Sequence, residues 1–235
     1  MNPISRALIS LRLRVNKRRF KTGDYLQAYA ENTNLKAKID AGMAIGGLWE
    51  EMGRQQFEFL KARGLKPQHR LLDIGCGSLR GGLLFIDYLD VGCYTGFDIS
   101  TEVIEAGKRK VTEKGLDHKQ PKLLENKDRN LKFAFLGDSH FDFILAQSVF
   151  SHLLPEHIEE CFGHIGQVMA QDGKFFFTHH PGARFGQRSE TDFEYPKVFF
   201  IELAEKYGLL LEDLSEEYQH PRGQNMLMVT SAAVG

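Results

Sequence analysis

The chain has 235 residues, 42% of them hydrophobic and 26% charged, a composition that suits one globular domain with a core of its own. Its 30 basic and 31 acidic residues nearly cancel, so whole-chain charge does not mark a nucleic-acid binder. No apolar run approaches the roughly 20 residues that a membrane-spanning helix needs.

The charge is unevenly spread. Residues 1–21 hold Arg6, Arg12, Arg14, Lys17, Arg18, Arg19 and Lys21 and no acid, leaving 23 basic against 31 acidic residues in the remainder. Ile4, Leu8, Leu11 and Val15 fall on one helical stripe within this basic segment. A helix packed on the domain is one reading of 1–21, peripheral contact with a membrane surface a second, and a nucleic-acid arm a third. Three cysteines, Cys76, Cys93 and Cys161, form no CxxC pair, which argues against a disulfide scaffold and a structural zinc. The expectation is a cytoplasmic protein.

Residues 22–66 read as helices interrupted by glycines. From residue 70 the pattern becomes strand, turn, helix, several times over. Residues 70–74 form a short apolar strand with Gly75 to Gly77 as its exit turn, and 79–89 suit a helix. Residues 93–98 make a second strand, and Ser100 is an N-cap for a helix over about 101–115. Residues 122–125, 141–146 and 174–178 are further strands, with a helix over 155–170 opened by Pro155. Another helix runs from Pro196 to about Tyr207. Residues 209–214 and 226–230 lack an intervening helix, so they should pair antiparallel. The fold class is therefore α/β: a seven-stranded, mostly parallel, Rossmann-like sheet with a terminal antiparallel strand, preceded by N-terminal helices.

The strand-one exit reads Asp73-Ile74-Gly75-Cys76-Gly77-Ser78-Leu79-Arg80-Gly81-Gly82. Glycine there lets the backbone turn sharply and lets a ligand approach closely, and open α/β sheets bind ligands at the carboxyl ends of their strands. Arg80 breaks the GxGxxG spacing, and Asp73 would repel a pyrophosphate, so a nicotinamide dehydrogenase is disfavoured. Asp98 ends strand two, where a carboxylate can accept hydrogen bonds from vicinal ribose hydroxyls.

In order, residues 71–77 (LLDIGCG), 94–100 (YTGFDIS) and 141–144 (FDFI) resemble the motifs of class I S-adenosylmethionine-dependent methyltransferases, and the resemblance extends over about 70–231. Residues 77–82 and 146–153 resemble a bacterial small-molecule branch of that family. The resemblance implies S-adenosylmethionine as cofactor, with Gly75, Cys76 and Gly77 around its methionine part and Asp73 near the ammonium. It places Asp98 on the ribose, Ile99 against the adenine, Asp128 on the adenine amino group with Asn126 as the alternative, and Gln147 facing the methyl donor. It implies methyl transfer to oxygen or nitrogen of a small-molecule or glycan acceptor. A non-catalytic cofactor-binding partner and an RNA methyltransferase using the basic arm are the alternatives. Residues 22–69 would form a helical cap or lid carrying Trp49, and 70–235 the methyltransferase domain. A general base is needed only if the acceptor keeps its proton until attack. His152 and His179 follow strands four and five and are the catalytic candidates; His180 and His220 are the other histidines to weigh. No Asn-Pro-Pro-Tyr or Asp-Pro-Pro-Tyr follows strand four, which speaks against the exocyclic amines of DNA bases as target. No metal site is expected, and oligomeric state is left open.

Overall fold

The computed structural model describes Phe20, residues 24–39 and residues 49–232, with the side chain of Trp49 outside that set. The expectations for the basic segment before Phe20 and for the Trp49 side chain lie outside the described residues.

Two helices precede the sheet, α1 (Tyr25–Ala37) and α2 (Trp49–Ala62). Strands and helices then alternate: β1 (Leu71–Ile74), α3 (Gly82–Tyr88), β2 (Tyr94–Asp98), α4 (Thr101–Glu113), β3 (Lys122–Glu125), β4 (Phe141–Ala146), α5 (Pro155–Ile165) and β5 (Met169–Pro181). Two short strands follow, β6 (Gly186–Gln187) and β7 (Phe193–Tyr195), then α6 (Lys197–Lys206), β8 (Leu209–Asp213) and β9 (Asn225–Ser231).

Pairing gives a seven-strand path in the order β3, β2, β1, β4, β5, β9, β8. Strands β1 to β5 pair in parallel. β9 runs antiparallel to both β5 and β8, because the link from β8 to β9 is too short for a crossover. The strand-order reversal lies between β1 and β4, where doubly wound sheets leave a crevice at their carboxyl ends.

Side chains of successive strand residues point to opposite faces, so the sheet is buried on both. Leu72, Ile74, Ile144, Phe175 and Phe177 pack with Ile158, Phe162 and Ile165 of α5 and Phe200 and Leu203 of α6. Leu71, Phe143, Leu145 and Phe176 pack with Leu60 of α2, Phe85 and Ile86 of α3, and Ile104 and Val111 of α4. Every residue of β1 is buried, as a central parallel strand requires.

Three expected boundaries shift. The helix expected over 79–89 starts only at Gly82, because Leu79 sits at φ +68°, outside helical space. The helix from Pro155 stops at Ile165, and β5 begins at Met169, ahead of the strand expected over 174–178, with its register against β4 shifting between Phe141 and Phe143. The strands β6 and β7 fall in a stretch without strand periodicity; β7 is held by pairing with His180 and Pro181 at the end of β5.

Candidate active site

A cleft of about 400 Å³ opens at the carboxyl ends of β1, β2 and β4, within the size range of small-molecule pockets. Its floor is the glycine bend. Gly75 and Gly77 lie at φ +66° and +55°, left-handed backbone that side chains disfavour. A Cβ on Gly75 would stand 2.6 Å from Val149 Cγ2, so the bend and the exit of β4 touch with no room for one.

Two acids flank the bend. Asp98 accepts the Gly77 N–H at 3.1 Å on Oδ2 and the Ser100 N–H at 2.9 Å on Oδ1. These bonds lock the carboxylate at the tip of β2 while leaving lone pairs for a ligand. Burial raises its pKa to about 6 against the opposing pull of those N–H groups. Asp73 accepts a 2.7 Å hydrogen bond from the Tyr94 hydroxyl. Burial raises the Asp73 pKa to about 7, with the Tyr94 bond and Arg80 opposing and Asp98 adding to the rise. A buried carboxyl so placed gains most from a cationic ligand group, which restores its charged form.

The remaining wall residues come from across the chain. Gln147 Oε1 accepts from the Tyr218 hydroxyl at 3.0 Å, while its buried Nε2 has no protein partner. Asn126 gives its amide hydrogen to the Asn130 carbonyl at 2.7 Å. A carbonyl only accepts, so Asn126 must present Oδ1 the other way, and that buried oxygen has no partner. Helix α1 lies over the cleft, contributing Leu26, Tyr29, Asn32, Thr33 and Lys36. It is tied down by Asn34 Oδ1, which accepts from Ser100 Oγ at 2.6 Å and from the Glu102 N–H at 3.1 Å. At its other end the Tyr25 hydroxyl donates to the His152 carbonyl at 2.8 Å.

Asp73, Gly75, Cys76, Gly77, Asp98, Ile99, Gln147 and His152 all line the cleft. Two expected residues do not. Asp128 is exposed and off the wall, while Asn126, two residues earlier, is buried on it; the chain bends right after β3, and the Asn126 N–H bonds the Asp98 carbonyl at 2.9 Å. His179 points into the core, its ring 4.6 Å from Phe200, because it shares a strand face with Phe175 and Phe177. Burial lowers its pKa to about 4. His180, on the opposite face, lines the cleft.

Sequence reasoning missed the α1 residues, Arg129 to Leu131, and Thr191 with Asp192. No local motif marks them, since folding alone brings them to the cleft. Arg222 and Gln224 of the wall sit in the connection between β8 and β9. Among the described residues, no group of three or more His, Cys, Asp or Glu side chains is placed to hold a metal ion. Likewise, no described helix is long and apolar enough to cross a membrane.

Residues 72–175 match a family described as a methyltransferase domain. The uncharacterized methyltransferase YcgJ of Bacillus subtilis (strain 168) is 26% identical over 121 residues, which are 52% of this chain and 44% of that protein; the aligned part is thus less than half of the relative's length. Magnesium protoporphyrin IX methyltransferase (ChlM) from Synechocystis PCC 6803, solved with bound S-adenosylmethionine, superposes with a TM-score of 0.66 at 15% identity, covering 90% of this chain and 99% of that one. The glycopeptide N-methyltransferase MtfA superposes with a TM-score of 0.60 at 11% identity, covering 78% and 92%. Such low identities speak for the fold alone. The family match over residues 72–175 and the shared fold show a chain that contains a region similar to methyltransferase domains and has the Rossmann-like fold of S-adenosylmethionine-dependent methyltransferases.

Proposed function

We propose that the chain transfers the methyl group of S-adenosylmethionine to a small-molecule or glycan acceptor, at oxygen or nitrogen. The observation that carries this reading is the Asp98 carboxylate, held by the N–H groups of Gly77 and Ser100 beside the glycine bend and across from buried Asp73. The orphaned polar atoms fit the same ligand. Asn126 Oδ1 suits the adenine amino group, and the Gln147 amide nitrogen faces a site that wants an acceptor. Asp98 has lone pairs left for the ribose hydroxyls, Ile99 supplies an apolar surface for the adenine, and Asp73 suits the ammonium of the methionine part.

When bound, the cofactor supplies an activated methyl group on a sulfonium. The chain's own work is then to hold acceptor and donor in line, which can lower a barrier by several kcal/mol. The α1 helix covers the cleft and excludes water; residues 22–69 serve as the cap and 70–235 as the methyltransferase domain. His152 and His180 are the histidines on the wall, and His152 is the one whose tautomer a carbonyl fixes. Its Nδ1 lies 2.6 Å from the Thr191 carbonyl, which can only accept, so Nδ1 carries the hydrogen and Nε2 keeps its lone pair. Burial depresses the His152 pKa, so the ring is neutral near pH 7 and ready to accept.

Incubation of the full chain with methyl-labelled S-adenosylmethionine and a fractionated metabolite extract tests this. Label should appear in an extractable small molecule or glycan. Binding of the cofactor with no label transferred to any fraction would instead make the chain a non-catalytic cofactor-binding protein.

A further inference from the structure

The end of the cleft away from the glycine bend carries hydrogen bonds whose direction two backbone N–H groups set, because such a group can only donate. Ser148, in left-handed backbone at φ +56°, donates its N–H to Thr178 Oγ1 at 2.7 Å. The Thr178 hydroxyl therefore gives its own hydrogen to Gln224 Oε1, also at 2.7 Å. The Arg222 N–H donates to His220 Nδ1 at 3.0 Å, which puts the His220 hydrogen on Nε2, 3.3 Å from Ser148 Oγ. The Ser148 hydroxyl in turn donates to Gln224 Oε1 at 3.1 Å. Both chains end on Gln224 Oε1 and turn its amide nitrogen the other way, 3.4 Å from Ser151 Oγ and 3.5 Å from His180 Nε2. Facing an N–H group, His180 Nε2 presents its lone pair, and the ring hydrogen sits on Nδ1. That Nδ1 is buried with no partner among the described residues, on a side chain that is 8% exposed and lines the cleft.

Charge divides along the same cleft. Asp73 and Asp98 stand at the glycine bend, suited to a ligand that bears a sulfonium and an ammonium. Around His180 the balance reverses, with Arg80, Arg222 and Lys36 on the wall against the carboxylate of Asp192, which already accepts from the Ser189 hydroxyl at 2.5 Å. Burial lowers the pKa of Arg80, His152, His180 and His220, and the Arg222 guanidinium pushes each the same way. Lys36 adds to this at His152, Arg188 at His180 and Arg80 at His220, while Asp192 opposes it at His152 and His180. Positive potential gathered inside a cleft draws anions into it, and a buried N–H without a partner is costly until a ligand meets it.

We propose that this end of the cleft is an oxyanion subsite, and that the methyl acceptor is a molecule carrying a carboxylate or phosphate group, drawn in by Arg222 and bound by the His180 Nδ1–H. This rests on the methyltransferase reading above and names the acceptor's chemical class within it. The anion is the handle by which the acceptor is held, whichever of its atoms receives the methyl group. Arg80, between Asp73 and Arg222, borders both ends of the cleft and adds its charge to the subsite. A neutral acceptor would leave the Nδ1 hydrogen and the surplus charge unanswered, and one bearing an ammonium there would be repelled.

Histidine ¹⁵N NMR on the full chain saturated with S-adenosylhomocysteine, with His180 assigned through His180→Asn, should show the Nδ1–H tautomer; an Nε2–H tautomer overturns the subsite. The charge of the methyl acceptor is read by splitting a metabolite extract on an anion exchanger near neutral pH before incubation with methyl-labelled S-adenosylmethionine. Accepting activity should lie in the retained fraction, where phosphatase treatment abolishes it for a phosphate and spares it for a carboxylate. Activity confined to the unretained fraction overturns the proposal. With the retained fraction, Arg222→Gln should raise KM roughly tenfold or more with a smaller change in kcat, while S-adenosylhomocysteine affinity stays within about twofold of wild type. His180→Leu should act in the same way, and His180→Asn, which keeps an N–H donor near the Nδ1 position, should lose less. An unchanged KM in either Arg222→Gln or His180→Leu overturns the subsite. If S-adenosylhomocysteine does not bind, or no fraction takes label, the underlying methyltransferase reading fails instead.

Discussion

The two ends of the cleft are built differently. The end expected to hold the cofactor comes from contiguous pieces of chain, the exits of β1 and β2, and its groups are fixed by backbone: Asp98 by the N–H groups of Gly77 and Ser100, and the bend by positive φ at Gly75 and Gly77. The end expected to hold the acceptor is assembled from α1, the turn after β4, the excursion at 186–195 and the link between β8 and β9. There, side chains are held by other side chains and single carbonyls, such as His152 by Thr191 and Ser148 Oγ by Gln224 at 3.1 Å. A site that reads one constant ligand can be written into a local motif. A site shaped for one acceptor is spread over segments that differ freely in length and composition.

The sharpest way to break this contrast is Gly75→Val. Its side chain would meet Val149 at a backbone angle hostile to branched residues. The cost should be on the order of 3 kcal/mol of stability, with cofactor binding lost. Thermal unfolding and calorimetry measure both, and a variant that binds normally would show that the bend is not the floor of the site. Next in size, Asp98→Ala should weaken S-adenosylmethionine by about 2 kcal/mol or more, roughly 30-fold, because hydrogen bonds to a buried charge are lost.

Asp73→Asn separates function from stability. The Asp73 pKa is raised to about 7 in the folded chain, chiefly by burial, from 3.8. A raised carboxyl contributes stability that is complete below pH 3.8 and is lost as pH rises through 7. The asparagine variant should therefore unfold at a higher temperature than wild type at pH 8, with the gap closing toward pH 4, while its cofactor affinity falls. Melting curves without ligand across that range check the sign; an equal or lower melting temperature at pH 8 contradicts it. The smallest effect belongs to Asp128→Ala. It should leave affinity unchanged, since the residue is exposed and off the wall, whereas Asn126→Ala should weaken binding by about 1 kcal/mol.

The same contrast explains what could be read in advance. The β1 bend, Asp98 at the tip of β2 and the Ser100 cap of α4 were legible because each is local: a strand exit, a strand end and an N-cap, the last accepting from the Val103 N–H at 3.5 Å. The antiparallel close of the sheet followed from the length of a connection. Position along β5 puts His179 near the cleft, but strand alternation gives it the face of Phe175 and Phe177, which point to the core. Asn126 and Asp128 could not be ranked from sequence, since the bend after β3 has no periodic pattern to tell inside from outside. Nothing near residue 192 hints that it meets residue 152, because that contact forms only once β7 pairs with β5.

Calorimetric titration of the full chain with S-adenosylhomocysteine and, separately, with NAD is the most direct check on the whole account. The nucleoside thioether should bind at one site with a micromolar or tighter constant, about −8 kcal/mol, and NAD should give no saturable heat. Saturable NAD binding, or none by S-adenosylhomocysteine, would mean that the glycine bend and Asp98 cradle a different ligand.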